Sequence, residues 1–304
     1  MDAQMAPKIM KILLAVDGSE HSHAAARLVR DLPLPSGSAV RVIAVLMPRD
    51  ASNAAVLESV LQDVEQMLAG TASDVRSELL TGYPAEQISE YAEGYNPDLI
   101  VLGAKGRRAT LGILLGGVVQ DIVEYAPHPI LVVRAPYNGL RRVLLVADGS
   151  PHSQRALEYL GRMPLPEGTE LTAIHILPPL PSPALIARTW PAGTEVMAPL
   201  PSYETEQMIA RQAEEEERQG RELLDRTVKH LEKAGIPATS VLLRGDGATE
   251  ILSYVRAHQI DLIVAGSRGL SQMKRLLLGS LSRKLVHYAS CSVLIVKGGS
   301  HGRD

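Results

Sequence analysis

The chain alternates short, continuously apolar runs with longer segments in which apolar residues recur every three or four positions. Runs such as KILLAV (11–16) and DLIVLG (98–103) are typical of strands that are buried on both faces of a parallel sheet. The periodic segments between them, for example Val56–Leu68, predict amphipathic helices. This alternation predicts an α/β protein in which helices cover a parallel sheet.

The whole pattern occurs twice. LLAVDGSEHSHAA, from Leu13, returns as LLVADGSPHSQRA from Leu144, and DLIVLGAKG, from Asp98, returns as DLIVAGSRG from Asp261. A repeat of this length indicates two copies of one domain in tandem, each with five strands alternating with helices. We place the first domain at residues 1–137 and the second at 138–304, with a linker short enough for the two to pack closely.

The second copy contains an insertion. Equivalent residues are 131 positions apart at the first strands and 163 apart at the fourth, so 32 residues have been added between Leu177 and Gly245. The proline-rich stretch near 178–210 is the expected place, because proline cannot continue a helix or a sheet ladder. A surface loop, a partner-binding segment and a lid over the second site all remain open. The charged pattern at 203–233 predicts a helix with a solvent-exposed face.

Composition narrows the class of protein. Apolar residues make up 45% of the chain, and a net charge of −3 offers no electrostatic footprint for nucleic acid. Phenylalanine is absent and Trp190 is the only tryptophan, which argues against a base-stacking surface. We find neither a signal-peptide layout nor an apolar run of the ~18 residues that a membrane helix needs. Cys291 is the only cysteine, so no intrachain disulfide can form, and we expect a cytoplasmic protein. Cys291 lies in a predicted strand and should be a small buried apolar residue.

The chemistry is concentrated in a glycine pattern. In the second copy, Gly266, Gly269 and Gly279-Ser280 form G-x2-G-x9-G-S. The first two glycines follow a strand and let the backbone approach a ligand closely. Gly279 and Ser280 open a helix, whose free N–H groups and macrodipole attract an anion, and Ser282 adds a second hydroxyl. The pattern therefore predicts a phosphate-binding site.

Together with the Asp-Gly-Ser after each first strand, at Asp17 and Asp148, this spacing resembles the universal stress proteins in tandem two-domain form. The resemblance covers nearly the whole chain. It implies two flavodoxin-like (adenine nucleotide alpha hydrolase-like) domains with parallel sheets of order 3-2-1-4-5, and a cleft beyond strands one and four. It further implies ATP as the ligand, accompanied by Mg or Mn. Pairing through the last strands would give either an intramolecular pseudo-dimer or a homodimer.

The resemblance also assigns residues to the ATP site. In the second copy, the residues expected at the adenine and ribose end are Val146, Ala147, Asp148 and Ile176. Those expected along the ribose and phosphate chain are Gly266, Arg268 and Gly269. Those expected to hold the phosphates are Gly279, Ser280 and Ser282. The first copy keeps Asp17, Val45, Gly103, Gly106 and Gly116, but Gly117 and Val119 stand where the hydroxyls would be. Each lost hydrogen bond to a phosphate costs about 1.5–3 kcal/mol. We therefore expect the first copy to bind ATP weakly, to bind a smaller adenine nucleotide, or to be a structural partner.

The function expected from these residues is that of an ATP-binding stress-response protein, in which nucleotide occupancy changes conformation or partner binding. A slow ATPase and a binding module for another adenine nucleotide or second messenger are the alternatives. The sequence contains no GxxxxGK[ST] loop and no paired carboxylates beside the glycine motif, which argues against efficient hydrolysis. The histidines that follow Asp-Gly-Ser, His21 and His152, are expected to be plain helix residues.

Overall fold

One continuous sheet of ten strands runs through the protein. The computed structural model describes residues 9–107, 114–180, 203–269 and 278–298. The first half contributes β1 (Lys11–Ala15), β2 (Ala39–Leu46), β3 (Asp74–Thr81), β4 (Leu99–Gly103) and β5 (Ile130–Val133), and the second half β6 (Arg142–Val146), β7 (Glu170–Leu177), β8 (Ala238–Arg244), β9 (Leu262–Gly266) and β10 (Ser292–Val296). The spatial order is β3-β2-β1-β4-β5-β10-β9-β6-β7-β8, and all pairs within each half are parallel. The predicted α/β class is confirmed, and each half has the order that the resemblance implies.

Helices cover both faces of the sheet. They are α1 (Glu20–Asp31), α2 (Ala54–Met67), α3 (Pro84–Tyr95), α4 (Gly117–Tyr125), α5 (Pro151–Leu160), α6 (Tyr203–Lys233), α7 (Gly247–Ala257) and α8 (Ser280–Tyr288), with a short 3-10 helix at Pro48–Asn53. Ser19 and Ser150 cap α1 and α5 by accepting the N–H groups of Ser22 and Ser153, which is a common role of serine at a helix N-terminus. Two apolar layers, one on each face, continue through both halves. No helix in the described ranges is long and apolar enough to cross a membrane.

The two halves meet through their last strands. β5 and β10 pair antiparallel, with Ile130 opposite Ile295, Leu131 opposite Leu294 and Val132 opposite Val293, all of them buried. Of the two pairings implied by the resemblance, the structure shows the one within a single chain. Each last strand thus has a neighbour on both sides, which protects apolar edges that would otherwise invite aggregation.

The residue after each last strand reaches into the other half. Arg134, after β5, donates hydrogen bonds to the carbonyls of Val286 and His287 at the end of α8, at 2.9 and 3.0 Å. Lys297, after β10, donates to the carbonyls of Glu124 and Ala126 at the end of α4, at 3.3 and 2.7 Å. Cations suit the C-terminal ends of helices, where carbonyl groups lack partners within the helix. These reciprocal contacts lock the halves together on either side of the β5–β10 pair.

Part of the insertion lengthens α6, which begins at Tyr203. The predicted proline-rich part of the insertion falls mostly within residues 181–202, which lie outside the described residues. The charged pattern at 203–233 forms the predicted helix, and most of its first turns are exposed. Glu216 is an exception, because its carboxylate faces inward and pairs with Arg244 at 2.7 Å.

Lys297 gives the inter-half contact a pH dependence. Burial lowers the pKa of its ammonium group from 10.5 to about 8, and the charge of Arg268 acts in the same direction while Glu124 opposes it. The unfolded chain then binds more protons than the folded chain between pH 8 and 10.5, so the free energy of unfolding should rise with pH in that window. We expect the stability of the native chain to rise relative to Lys297→Met between pH 8 and 10 in urea unfolding. A constant difference across that range would contradict the prediction.

Candidate functional site

A cleft opens in the first half at the carboxyl ends of β1 and β4, where the strand order reverses. Its volume is about 540 Å³, within the usual range for small-molecule sites. Ligands of open α/β sheets bind at this point of the fold. All six first-copy residues predicted for the site line this cleft: Asp17, Val45, Gly103, Gly106, Gly116 and Gly117.

Asp17 ties the end of β1 to the glycine loop that follows β4. Its two carboxylate oxygens accept the N–H groups of Ser19 at 3.0 Å and Arg107 at 2.9 Å. The Ser19 hydroxyl donates to the carbonyl of Lys105 at 3.0 Å. A Cβ at Gly106 would lie only 2.8 Å from the Asp17 carboxylate, so glycine is needed for this approach. The aspartate thus shapes the loop, and its expected contact with the adenine and ribose end stays a prediction.

The second half repeats this arrangement. The Asp148 carboxylate accepts the N–H of Ser150 at 2.9 Å, and a Cβ at Gly269 would lie 2.7 Å from its other oxygen. The Ser150 hydroxyl donates to the carbonyl of Arg268 at 3.4 Å. Residues 270–277, which continue this loop, lie outside the described part of the chain. The predicted residues Asp148, Arg268 and Gly269 therefore come together as their first-half counterparts do.

The predicted adenine end of the second site lies on two neighbouring strands. Val146 and Ala147 are buried at the end of β6, and Ile176 is half-buried near the end of β7. The N–H of Ala147 donates to the carbonyl of Ile174 at 2.9 Å, and its carbonyl contacts Nδ1 of His175 at 2.7 Å. The structure thus places these predicted apolar residues beside Asp148 at one edge of the sheet.

The first glycine of each motif is explained by helix packing. A Cβ at Gly103 would lie 2.6 Å from backbone atoms of His21, and one at Gly266 would lie 2.5 Å from the backbone of His152. The first turns of α1 and α5 therefore rest directly on the ends of β4 and β9. Both histidines make structural contacts: Nδ1 of His21 accepts the N–H of Ala135, and Nδ1 of His152 contacts the Ser267 hydroxyl.

The third glycine of each motif begins the helix that would face the phosphates. Gly116 and Gly279 are the extended N-cap residues of α4 and α8, and neither helix has a side-chain cap bond. The first N–H groups of both helices are thus not taken up by a side chain of the cap residue. Ser280 is exposed at the first position of α8. Gly117 stands at the same position of α4, and a Cβ there would meet open space.

Ser282 points into the protein. It is buried, and its hydroxyl donates to the carbonyl of Gly266 at 2.7 Å. The Ser282 hydroxyl, which we expected to donate to a phosphate, therefore donates to a backbone carbonyl in this structure. Val119 is buried at the same position of the first half, so this difference between the copies changes the core. The remaining difference in hydroxyl groups between the two copies is at the exposed first helix position, which is Ser280 in the second half and Gly117 in the first.

Cationic side chains surround the glycine loops. Lys105 and Arg107 line the first cleft. Sequence reasoning did not single out Lys105, although its alignment with Arg268 across the repeat would have revealed it. Nε of Arg268 is buried and has no hydrogen-bond partner among the residues that the structure describes. The loops are thus suited to an anionic group.

Cys291 is buried, as the sequence predicts, and burial raises the pKa of its thiol to about 12. A thiol of this kind is a poor nucleophile.

Two tandem α/β halves on one sheet, with a ligand-sized cleft at a strand-order reversal, define a class of two-domain α/β binding proteins. The model of the universal stress protein family matches residues 8–134 and again 139–297, and the chain belongs to that family.

Similar proteins cover one half or the whole chain. A universal stress protein of Mycolicibacterium smegmatis is 25% identical in an alignment of 309 positions. The alignment covers 94% of this chain and 96% of that protein. Universal stress protein YxiE of Bacillus subtilis is 28% identical over 161 residues, which cover 51% of this chain and 98% of that protein. The crystal structure of a universal stress protein from Archaeoglobus fulgidus shares the fold, with a TM-score of 0.63, 21% identity, and coverage of 97% of this chain and 98% of that one.

The glycine contacts predict a graded response to alanine. Gly266→Ala should destabilise the protein by about 3 kcal/mol, because the new Cβ would meet the backbone of α5, which cannot move aside like a flexible side chain. Gly117→Ala places its Cβ in open space and is the matched control, with an expected change under about 0.5 kcal/mol. Urea unfolding measures both. Equal losses in the two variants would show that close packing does not explain the first glycine.

Proposed function

We propose that the chain binds adenine nucleotides at the carboxyl edge of each half-sheet and acts as a nucleotide-dependent regulatory protein of the stress response. ATP would lie with its adenine near the ends of β1 and β2, or of β6 and β7. Its phosphates would lie at the start of α4 or α8. The observation that carries the proposal is the first-half cleft, which gathers all six independently predicted residues beside a cationic loop and a helix N-terminus.

The adenine end of that cleft has an apolar wall. Ile43 and Val45 of β2, Leu57 of α2 and Ile88 of α3 line it. Small-molecule sites combine such apolar surfaces with a few polar groups that set orientation. A purine ring fits this description, and the cleft volume of about 540 Å³ is in the range expected for a nucleotide.

The phosphate end combines three sources of positive potential. Lys105 and Arg107 contribute side-chain charge at the first cleft, and α4 contributes free N–H groups and the positive end of its dipole. In the second half, Arg268 and α8 take the same places, and Ser280 adds an exposed hydroxyl. We therefore propose that the second half binds ATP more tightly than the first.

Magnesium or manganese would accompany the phosphates. Within the described ranges the side chains form no group of three or more His, Cys, Asp or Glu residues that could hold a metal ion. The oxygen ligands of such an ion would therefore come mainly from the nucleotide and water, which suits magnesium. In this proposal the ion neutralises phosphate charge at the helix start.

Occupancy, rather than turnover, is the proposed signal. Both oxygens of the Asp17 carboxylate accept backbone N–H bonds, which commits this acidic residue to holding the loop. Efficient hydrolysis needs a group that orients the attacking water beside the phosphates. In this proposal the chain holds nucleotide and responds to it through its conformation.

Quantifying small molecules released from the purified, denatured protein tests the proposal. Calorimetry with ATP, ADP, AMP and cyclic AMP, each with and without magnesium, accompanies it. ATP retained at one to two molecules per chain, or ATP as the tightest ligand, would support the proposal. A tighter fit for cyclic AMP or AMP would redirect it to a messenger-binding module, and no binding of any of the four would overturn it.

The hydroxyl difference between the halves yields a gain-of-function prediction. Gly117→Ser restores the hydroxyl in open space at the start of α4, and Gly117→Ala is its control without the oxygen. One new hydrogen bond to a phosphate is worth about 1.5 kcal/mol, so ATP affinity of the first site should rise about tenfold over the alanine variant. Ser280→Ala should lower the affinity of the second site by a similar factor. Calorimetric titration measures both, and equal affinities of the two Gly117 variants would refute the assignment.

A further inference from the structure

Helix α6 extends further at its N-terminal end than its first-half counterpart, α2. Leu61 of α2 and its C-cap residue Leu68, both buried, correspond to the buried Leu224 and Leu231 of α6, and each pair is 163 positions apart. With the same offset, the first residue of α2, Ala54, corresponds to residue 217, but α6 begins at Tyr203. The additional 14 residues, 203–216, extend the helix by about 21 Å.

The extension lies at the nucleotide edge of the sheet. α6 ends just before β8 begins, so its N-terminal part lies at and beyond the carboxyl ends of β7 and β8. In the first half the same place is taken by the 3-10 helix Pro48–Asn53, and Asp50 and Asn53 of that helix line the cleft. A continuous helix thus stands beside the second site where the first half has a short, kinked segment.

One arginine fastens the extension to the sheet. Arg244, the last residue of β8, donates to the Glu216 carboxylate at 2.7 Å and to the carbonyls of Pro178 and Ala213 at 2.9 and 3.3 Å. Both charged side chains are largely buried, with exposed fractions of 19% and 26%. Thr81 stands at this position in the first half and cannot form such an ion pair.

A glycine brings the helix close to the same strands. Gly220 of α6 is buried, and a Cβ there would lie 2.9 Å from Leu242 and 3.2 Å from His175. Its first-half counterpart, Leu57, lines the nucleotide cleft. The helix therefore packs against these strands without room for a larger side chain, and two residues without an equivalent in the first half, Gly220 and Arg244, set its position.

We propose that residues 203–220 of α6, held by the Arg244–Glu216 pair, form a fixed wall on the adenine side of the second-half nucleotide site. The inference rests on the proposed function. A continuous helix anchored at both strand ends opens less readily than the 3-10 segment of the first half. Nucleotide therefore leaves the second site more slowly than the first, and Arg244 is a positioning residue for that site.

Displacement of a fluorescent N-methylanthraniloyl ATP by excess ATP tests the wall. The native chain should release the probe in a fast and a slow phase, and Ser280→Ala should alter the slow phase, which assigns that phase to the second site. Arg244→Ala should accelerate the slow phase about tenfold, the milder Glu216→Gln should accelerate it less, and both should leave the fast phase unchanged. Arg218→Ala is the matched control, because the exposed Arg218 pairs within α6, with Glu215 and Glu222.

Hydrogen exchange of the nucleotide-free variants provides a second measurement. Arg244→Ala and Glu216→Gln should raise exchange in residues 206–216, while the strands of the second half stay protected. An unchanged slow phase in both variants, or equal acceleration by Arg218→Ala, would overturn the proposal that residues 203–220 form a fixed wall. Absence of any probe binding to the native chain would instead overturn the proposed function, so the two failures are distinguishable.

Discussion

The antiparallel pairing of β5 with β10 is the contact on which the rest of the structure depends. It turns two five-stranded parallel sheets into one sheet of ten strands and buries the last strand of each half. Because β5 and β10 run in opposite directions, the carboxyl ends of the two half-sheets, and with them the two glycine loops, lie at opposite edges. Arg134 and Lys297 complete this junction by capping the helices of the other half.

Within each half, a small set of backbone contacts builds the site. The aspartate after the first strand accepts N–H groups from its own turn, and its carboxylate lies against the second motif glycine of the loop after the fourth strand. The first motif glycine lets the adjacent helix rest on that strand end. Strand, loop and helix are thus joined by groups that tolerate no larger side chain, which explains why the same residue types occur in both copies.

The two halves differ where the shared scaffold permits change. An exposed position at the start of α4 and α8 carries glycine in one half and serine in the other. The end of the third strand carries Thr81 or Arg244, and the helix that crosses it carries Leu57 or Gly220. These differences leave the strand order of the two halves the same. Duplication on one sheet therefore repeats the aspartate and glycine-loop arrangement and surrounds it with different side chains in the two halves.

The sequence by itself determined the repeat, the strand and helix positions, the caps and the glycine loops, because apolar periodicity and turn chemistry act over a few residues. Only the tertiary structure decided that β5 and β10 pair within one chain, that Ser282 donates to the carbonyl of Gly266, and that Glu216 turns inward to Arg244. Each of these contacts joins residues far apart in the chain. Such contacts depend on the distance and angle between packed elements, which no local pattern of residues encodes.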